Sequence, residues 1–139
     1  MKKAGYIFLQ VSACLIFIGG VSDIILSFND DIPDAHLHYL NLYHSEVSAS
    51  LINLDKAFIR AIGGCLVSLG IAAFIIARFI NILEKKVYLY ILLLIVTVAE
   101  GNNAVQMFTI NSAFYFYPLA CVLLAWIGGI LLSYSKKNK

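Results

Sequence analysis

Four stretches of this chain stay apolar for long enough to cross a bilayer: about residues 4–28, 57–81, 87–109 and 113–134. A helical span needs ~20 mostly apolar residues. Inside hydrocarbon every backbone N–H and C=O must be paired within the segment, which leaves helices as the economical solution. None of the four carries the polar outer stripe that would suit a helix lying on a water-facing core. Composition agrees: 61% of the 139 residues are hydrophobic and 13% are charged, where a soluble domain averages nearer one-half and one-quarter. The expected fold is therefore all-α: a four-transmembrane-helix bundle forming a single integral membrane domain over residues 1–139. An outer loop at 29–56 separates spans one and two. The lipid bilayer is the expected partner. The net charge of +2 is carried mostly by the flanks, so nucleic acid is not implied.

Met1-Lys2-Lys3 ahead of an apolar run has the look of a signal peptide, and Val11-Ser12-Ala13-Cys14 resembles a lipoprotein cleavage box. The run continues past Cys14 to Ile18 and resumes beyond Gly20, so cleavage would leave half a span. An uncleaved first helix is the expectation.

The basic residues set an orientation. Lys2 and Lys3 precede span one; Arg78, Lys85 and Lys86 lie between spans two and three; Lys136, Lys137 and Lys139 follow span four. The long loop is acidic instead, with Asp30, Asp31, Asp34 and Glu46. The positive-inside rule then places both termini in the cytoplasm, and a bacterial inner (plasma) membrane is the expected location. Tyr6, Tyr88, Tyr90 and Tyr134 fall near the inner interface and Phe114, Tyr115, Phe116 and Tyr117 near the outer one, as aromatic belts do.

Against this background three lone charges stand out: Asp23 in span one, Arg60 in span two and Glu100 in span three. Charges at such depth are costly and mark pairing or function. At 1.5 Å per residue, Asp23 lies roughly 28 Å from Ala4, Arg60 about one turn inside the outer end of its span, and Glu100 roughly 20 Å from Val87. All three reach the outer third, where Asn102, Asn103 and Gln106 extend the polar surface. Arg60, Gly64, Ser68 and Ala72 recur every four residues, as do Cys121, Ala125, Gly129 and Ser133, and Gly19 shares a face with Asp23. Small residues at that spacing let membrane helices approach closely. Arg60 is therefore expected to point inward and to pair with Glu100 or Asp23. Such a network can fix helix register or form a site; the candidate ligand-binding set is Asp23, Arg60, Glu100, Asn103 and Gln106.

The outer loop opens with turn material, Asn29-Asp30-Asp31-Ile32-Pro33, and Asp34 reads as a helix N-cap. Leu37, Leu40, Tyr43 or His44, Val47, Leu51 and Leu54 then recur at three- and four-residue intervals, predicting an amphipathic helix that lies on the outer surface and leads into span two. The loop holds His36, His38 and His44, the only candidate metal ligands. None of their pairs has the i, i+3 or i+4 spacing of a helical metal site, so no metal and no cofactor is expected. Cys14, Cys65 and Cys121 lie on three different spans with no Cys-x-x-Cys motif, and read as small packing residues. No Ser/His/Asp order, phosphate loop or dinucleotide fingerprint is present, and the two-half symmetry of many transporters is not visible.

The stretch Phe58-Ile59-Arg60-Ala61-Ile62-Gly63-Gly64, followed by Leu66, Leu69 and Gly70, resembles the second helix of the small four-helix DUF4345/DoxX-like membrane proteins, in which an arginine a few residues before paired glycines enters an apolar helix. The likeness covers that span and the four-helix layout. Span three departs from it: Glu100-Gly101-Asn102 stands where the family tends to have Gly-Arg, and the histidine-bearing loop is longer. The resemblance implies architecture rather than an activity.

The leading functional expectation is non-enzymatic: a small membrane protein binding a hydrophobic or amphipathic ligand, a partner membrane subunit or a second copy of itself. The alternative is a membrane-embedded enzyme acting on a lipid-like substrate. Glu100 would be its general acid or base, Arg60 an anion clamp, and Asp23 or a loop histidine the second proton group.

Overall fold

The computed structural model describes residues 1–83 and 85–135. Among these residues it is all-helical: α1 (Lys2–Leu26), α2 (Asp34–Leu40), α3 (Ala49–Leu83), α4 (Lys86–Thr109) and α5 (Phe116–Ser135), with single 3-10 turns at His44–Glu46 and Ala113–Tyr115. Four helical segments are long and apolar enough to cross a membrane: α1, α3, α4 and the unit from Ala113 to Tyr134. At most 33% of any span's apolar window is buried within the chain. Ile7, Phe17, Leu94, Val98, Leu123 and Ile130 all face outward. An apolar outer surface of that extent requires lipid or other helices around it.

The long helices form a closed ring in the order α1, α3, α4, α5, with α1 diagonal to α4. Each buries a stripe that alternates three- and four-residue steps, the spacing that keeps one face in view along a helix packed nearly parallel to its neighbours. On α1 the stripe is Gly5, Leu9, Ser12 and Ile16; on α4 it is Leu89, Leu93, Val96 and Glu100; on α5 it is Pro118, Cys121, Ala125 and Leu132. On α3 it runs Gly63, Gly70, Ala73, Ala77 and Ile80. Where α1 crosses α3 the backbones nearly touch. A Cβ on Gly20 would lie 2.6 Å from the Gly63 carbonyl oxygen, and one on Gly70 would lie 2.6 Å from the Phe17 amide nitrogen. Gly5 and Gly128 make the matching approach between α1 and α5.

The seam on α3 differs from the expected one. Arg60, Ser68 and Ala72 are exposed, and a Cβ on Gly64 would meet nothing within 4 Å. A strict four-residue repeat drifts by roughly 40° per step around an α-helix, so that row spirals off the contact face. The row beginning at Gly63 stays on it. Cys14 and Cys65 likewise face outward, and only Cys121 of the three packs in the core.

The loop also departs from expectation. The periodic pattern does not make one helix through Leu54. Pro33 caps α2 and Asp34 is its first helical residue, and α2 stops at Asn41, whose left-handed backbone (φ 54°) an L-residue other than Gly or Asn seldom adopts. A 3-10 turn follows, held by the Glu46 carboxylate accepting from the Tyr43 amide at 2.9 Å. The remaining apolar positions become the first turns of α3, which starts at Ala49 rather than near residue 57. Asn111 (φ 57°) makes the corresponding tight turn between α4 and α5.

Candidate functional site

Glu100 occupies a seam position on α4 at which its neighbours along the stripe are Val96, Leu93 and Leu89. It is 2% exposed, the most deeply buried charged residue described. Asn103, close to one turn on, is near enough for its side-chain amide to interact with the carboxyl. One carboxyl oxygen, Oε1, is buried and has no hydrogen-bond partner among the described residues. Leaving a buried acceptor unmatched costs about 1–3 kcal/mol, so the position is expensive unless something occupies it.

Three further groups face this carboxyl electrostatically. Asp23 of α1, and Tyr117 and Cys121 of α5, are near enough to interact with it through space. The backbone of α5 is tied to α1 beside them: Ser12 donates its hydroxyl to the Cys121 carbonyl at 2.7 Å, and Tyr117 donates its phenol to the Leu15 carbonyl at 2.6 Å. Gly19 makes room for the ring, since a Cβ there would lie 3.0 Å from Tyr117 Cε1. Asp23 sits where α1 meets α3, its Cβ 3.0 Å from where a Gly63 Cβ would be.

Arg60 does not join this group, contrary to the expected ion pair. Its Nε donates to the Ser27 hydroxyl at 3.2 Å and its guanidinium lies 4.8 Å from the centre of the Phe28 ring. Neither Asp23 nor Glu100 forms a salt bridge with it within 4.0 Å. The reason is its position on the drifting row: Arg60 is exposed on α3, about 60° around the helix from Gly63, which faces α1. Ser27 in turn donates to the Ile24 carbonyl at 2.6 Å, so Arg60 braces the C-terminal end of α1. Gln106 is exposed on α4 and Asn102 likewise, whereas Asn103 is half-buried.

Two members of the cluster, Tyr117 and Cys121, escaped the sequence reading. Tyr117 was expected among the interfacial aromatics; Phe114 and Phe116 are exposed as such a belt requires, but Tyr117 is half-buried. The signal was its four-residue step to Cys121, which extends the small-residue row of α5 by one position toward the loop end of the bundle.

The loop histidines stay apart. His36 pairs with Asp55 of α3 at 2.7 Å and His44 with Asp34 at 3.2 Å, while His38 is exposed. Among the described residues no group of three or more His, Cys, Asp or Glu side chains is arranged to hold a metal ion. Lys56 pairs with Asp30 at 3.1 Å.

The cluster is rich in acceptors: two carboxylates, the Asn103 amide oxygen and the Tyr117 phenol oxygen. With Arg60 turned away, no basic side chain among the described residues balances it. Such a set suits a hydrogen-bond donor or a cation. Comparison with protein-family models, with curated proteins and with solved structures gives no match.

Proposed function

We propose that this is a small membrane protein that binds an amphipathic ligand through the buried cluster, the ligand's donor or cationic head lying against Glu100 and its apolar part among the helices. One observation carries the reading: Glu100 is buried at a seam position with an oxygen that no described residue satisfies. Asp23, Asn103, Tyr117 and Cys121 interact with it electrostatically, and ionisable groups inside membrane helices almost always face the bundle interior or a water-filled cavity. Basic residues at the ends that carry the termini support an orientation with both termini cytoplasmic and the α2 loop outside.

The test is native mass spectrometry of the protein released from membranes in mild detergent, comparing wild type with Glu100→Gln. The amide is nearly isosteric and keeps the fold, but it removes a carboxylate acceptor. Wild type is expected to retain a small amphipathic species that Glu100→Gln loses by at least about tenfold, one charge-assisted hydrogen bond being worth ~1.5–3 kcal/mol. Identical retention by both proteins, or none by either in any lipid environment, rejects the reading.

A further inference from the structure

At the end of the bundle that carries the chain termini, a basic recess opens into an apolar groove. Lys2, Lys85 and Lys86 edge the recess, and Leu89 and Ser133 lie at its inner side. The groove runs on from there between α4 and α5 with a volume of about 360 Å³. Leu89 and Ser133 line both spaces, so the two adjoin. Ligand sites span roughly 300–1,000 Å³, and the groove falls within that range.

The walls of the groove are Leu93, Leu94, Gly129 and Ile130. Trp126 and Thr97 also face it, but their polar atoms satisfy one another: the indole N–H donates to the threonine hydroxyl at 2.9 Å. Ser133 donates its hydroxyl to the Gly129 carbonyl at 2.9 Å, so the walls between it and Trp126 offer water little to bind. At the mouth, Tyr90 and Tyr134 are exposed, as phenols at the level of lipid headgroups are. Lys85 and Lys86 are exposed just beyond them.

We infer that this is a binding site for a single anionic phospholipid, its phosphate head held by Lys85 and Lys86 and one acyl chain lying in the groove between α4 and α5. Charge complementarity selects the head. Basic pockets between spanning helices bind anionic lipid headgroups, and each lysine near such a surface improves binding roughly fivefold. The dry walls select the chain: a groove that opens sideways into the hydrocarbon layer is filled by what that layer contains. The lysines that hold the head lie at the opposite end of α4 from Glu100, and the proposal does not depend on the function proposed for Glu100.

The experiment uses the purified full-length chain equilibrated with equal amounts of a phosphatidylglycerol and a phosphatidylcholine of identical acyl chains, read by native mass spectrometry. Wild type is expected to retain one phosphatidylglycerol, with at least about tenfold less phosphatidylcholine. The variant carrying both Lys85→Gln and Lys86→Gln is expected to lose that preference. Leu94→Trp, at an exposed position on the groove wall, is expected to lower retention of both lipids. Glycerol 3-phosphate, a head without chains, is expected not to displace the lipid. Equal retention of the two lipids by wild type overturns the proposal, as does an unchanged preference in the lysine variant. Efficient displacement by glycerol 3-phosphate would leave only a phosphate site, and a lipid-free dimer closed over the groove would assign that face to a second copy; either result overturns it.

Discussion

Tyr117 of α5 reaches across to α1 and donates its phenol to the carbonyl of Leu15 at 2.6 Å. That carbonyl belongs to a regular helix, so the phenol supplies a second partner to an oxygen that already has one. The bond's effect is positional: it holds the ring against Gly19, near enough to the Glu100 carboxyl to interact with it through space. Tyr117→Phe is expected to lower thermal stability in detergent only slightly, by about 0.6 kcal/mol as interhelical bonds in membranes average. Retention of the ligand at Glu100 is expected to fall more steeply than stability. A large drop in melting temperature with unchanged ligand retention would make the bond purely structural.

Neighbouring glycines on α3 are expected to behave oppositely. A Cβ at position 63 would lie 2.7 Å from the Gly20 carbonyl oxygen, so Gly63→Ala must push α1 and α3 apart and should cost about 1–3 kcal/mol. Gly64→Ala meets nothing within 4 Å. It should be neutral or stabilising by up to ~1 kcal/mol, since alanine restricts the backbone more than glycine does. Melting curves of the two variants in one detergent decide it, and equal effects would contradict the seam.

Arg60 and Glu100 are expected to be energetically independent. Arg60→Met removes contacts with Ser27 and Phe28, while Glu100→Gln alters a separate cluster. A double-mutant cycle should be additive within ~0.3–0.5 kcal/mol. The cycle of Arg60→Met with Ser27→Ala should show coupling instead, because Ser27 accepts from Arg60 Nε at 3.2 Å. Strong coupling between Arg60 and Glu100 would restore the ion pair that the sequence suggested.

The pair His36 and Asp55 fastens α2 to the start of α3 at 2.7 Å. Asp55 also keeps a buried, unmatched Oδ2. Asp55→Ala is therefore expected to release the loop: amides of residues 34–40 should exchange with solvent at least several-fold faster, with those of α4 and α5 unchanged. Uniform acceleration along the whole chain would show a global loss of stability instead.

The number and type of the long elements were legible because hydrocarbon leaves the chain few choices, and apolar length alone reports it. Faces were less legible. The rows from Arg60 and from Cys121 looked equivalent as small-residue repeats, yet only the second is buried along most of its length. Which of two interleaved rows becomes the seam depends on the partner helix: Gly20 of α1 fixes Gly63 rather than Gly64 as its neighbour. Depth was readable along single helices, which led to the expectation of Asp23 and Glu100 at a common level, and the two are near enough to interact electrostatically. Their lateral arrangement was not readable, because it follows from the ring order that sets α1 diagonal to α4. That order sets α5 against both α1 and α4 and so brings in Tyr117, while the drift of its row turns Arg60 aside.

At 35 residues, α3 is about 52 Å long against a hydrocarbon thickness of ~30 Å. The surplus lies mainly at its first turns, where Asp55 grips His36 and Lys56 grips Asp30. The same rod that lies backbone to backbone against α1 therefore continues as a mast to which the polar loop is lashed. A mast and its footing move together. Anything that binds or tilts the loop applies torque directly at the Gly20–Gly63 crossing, within one turn of Asp23, with no flexible joint between.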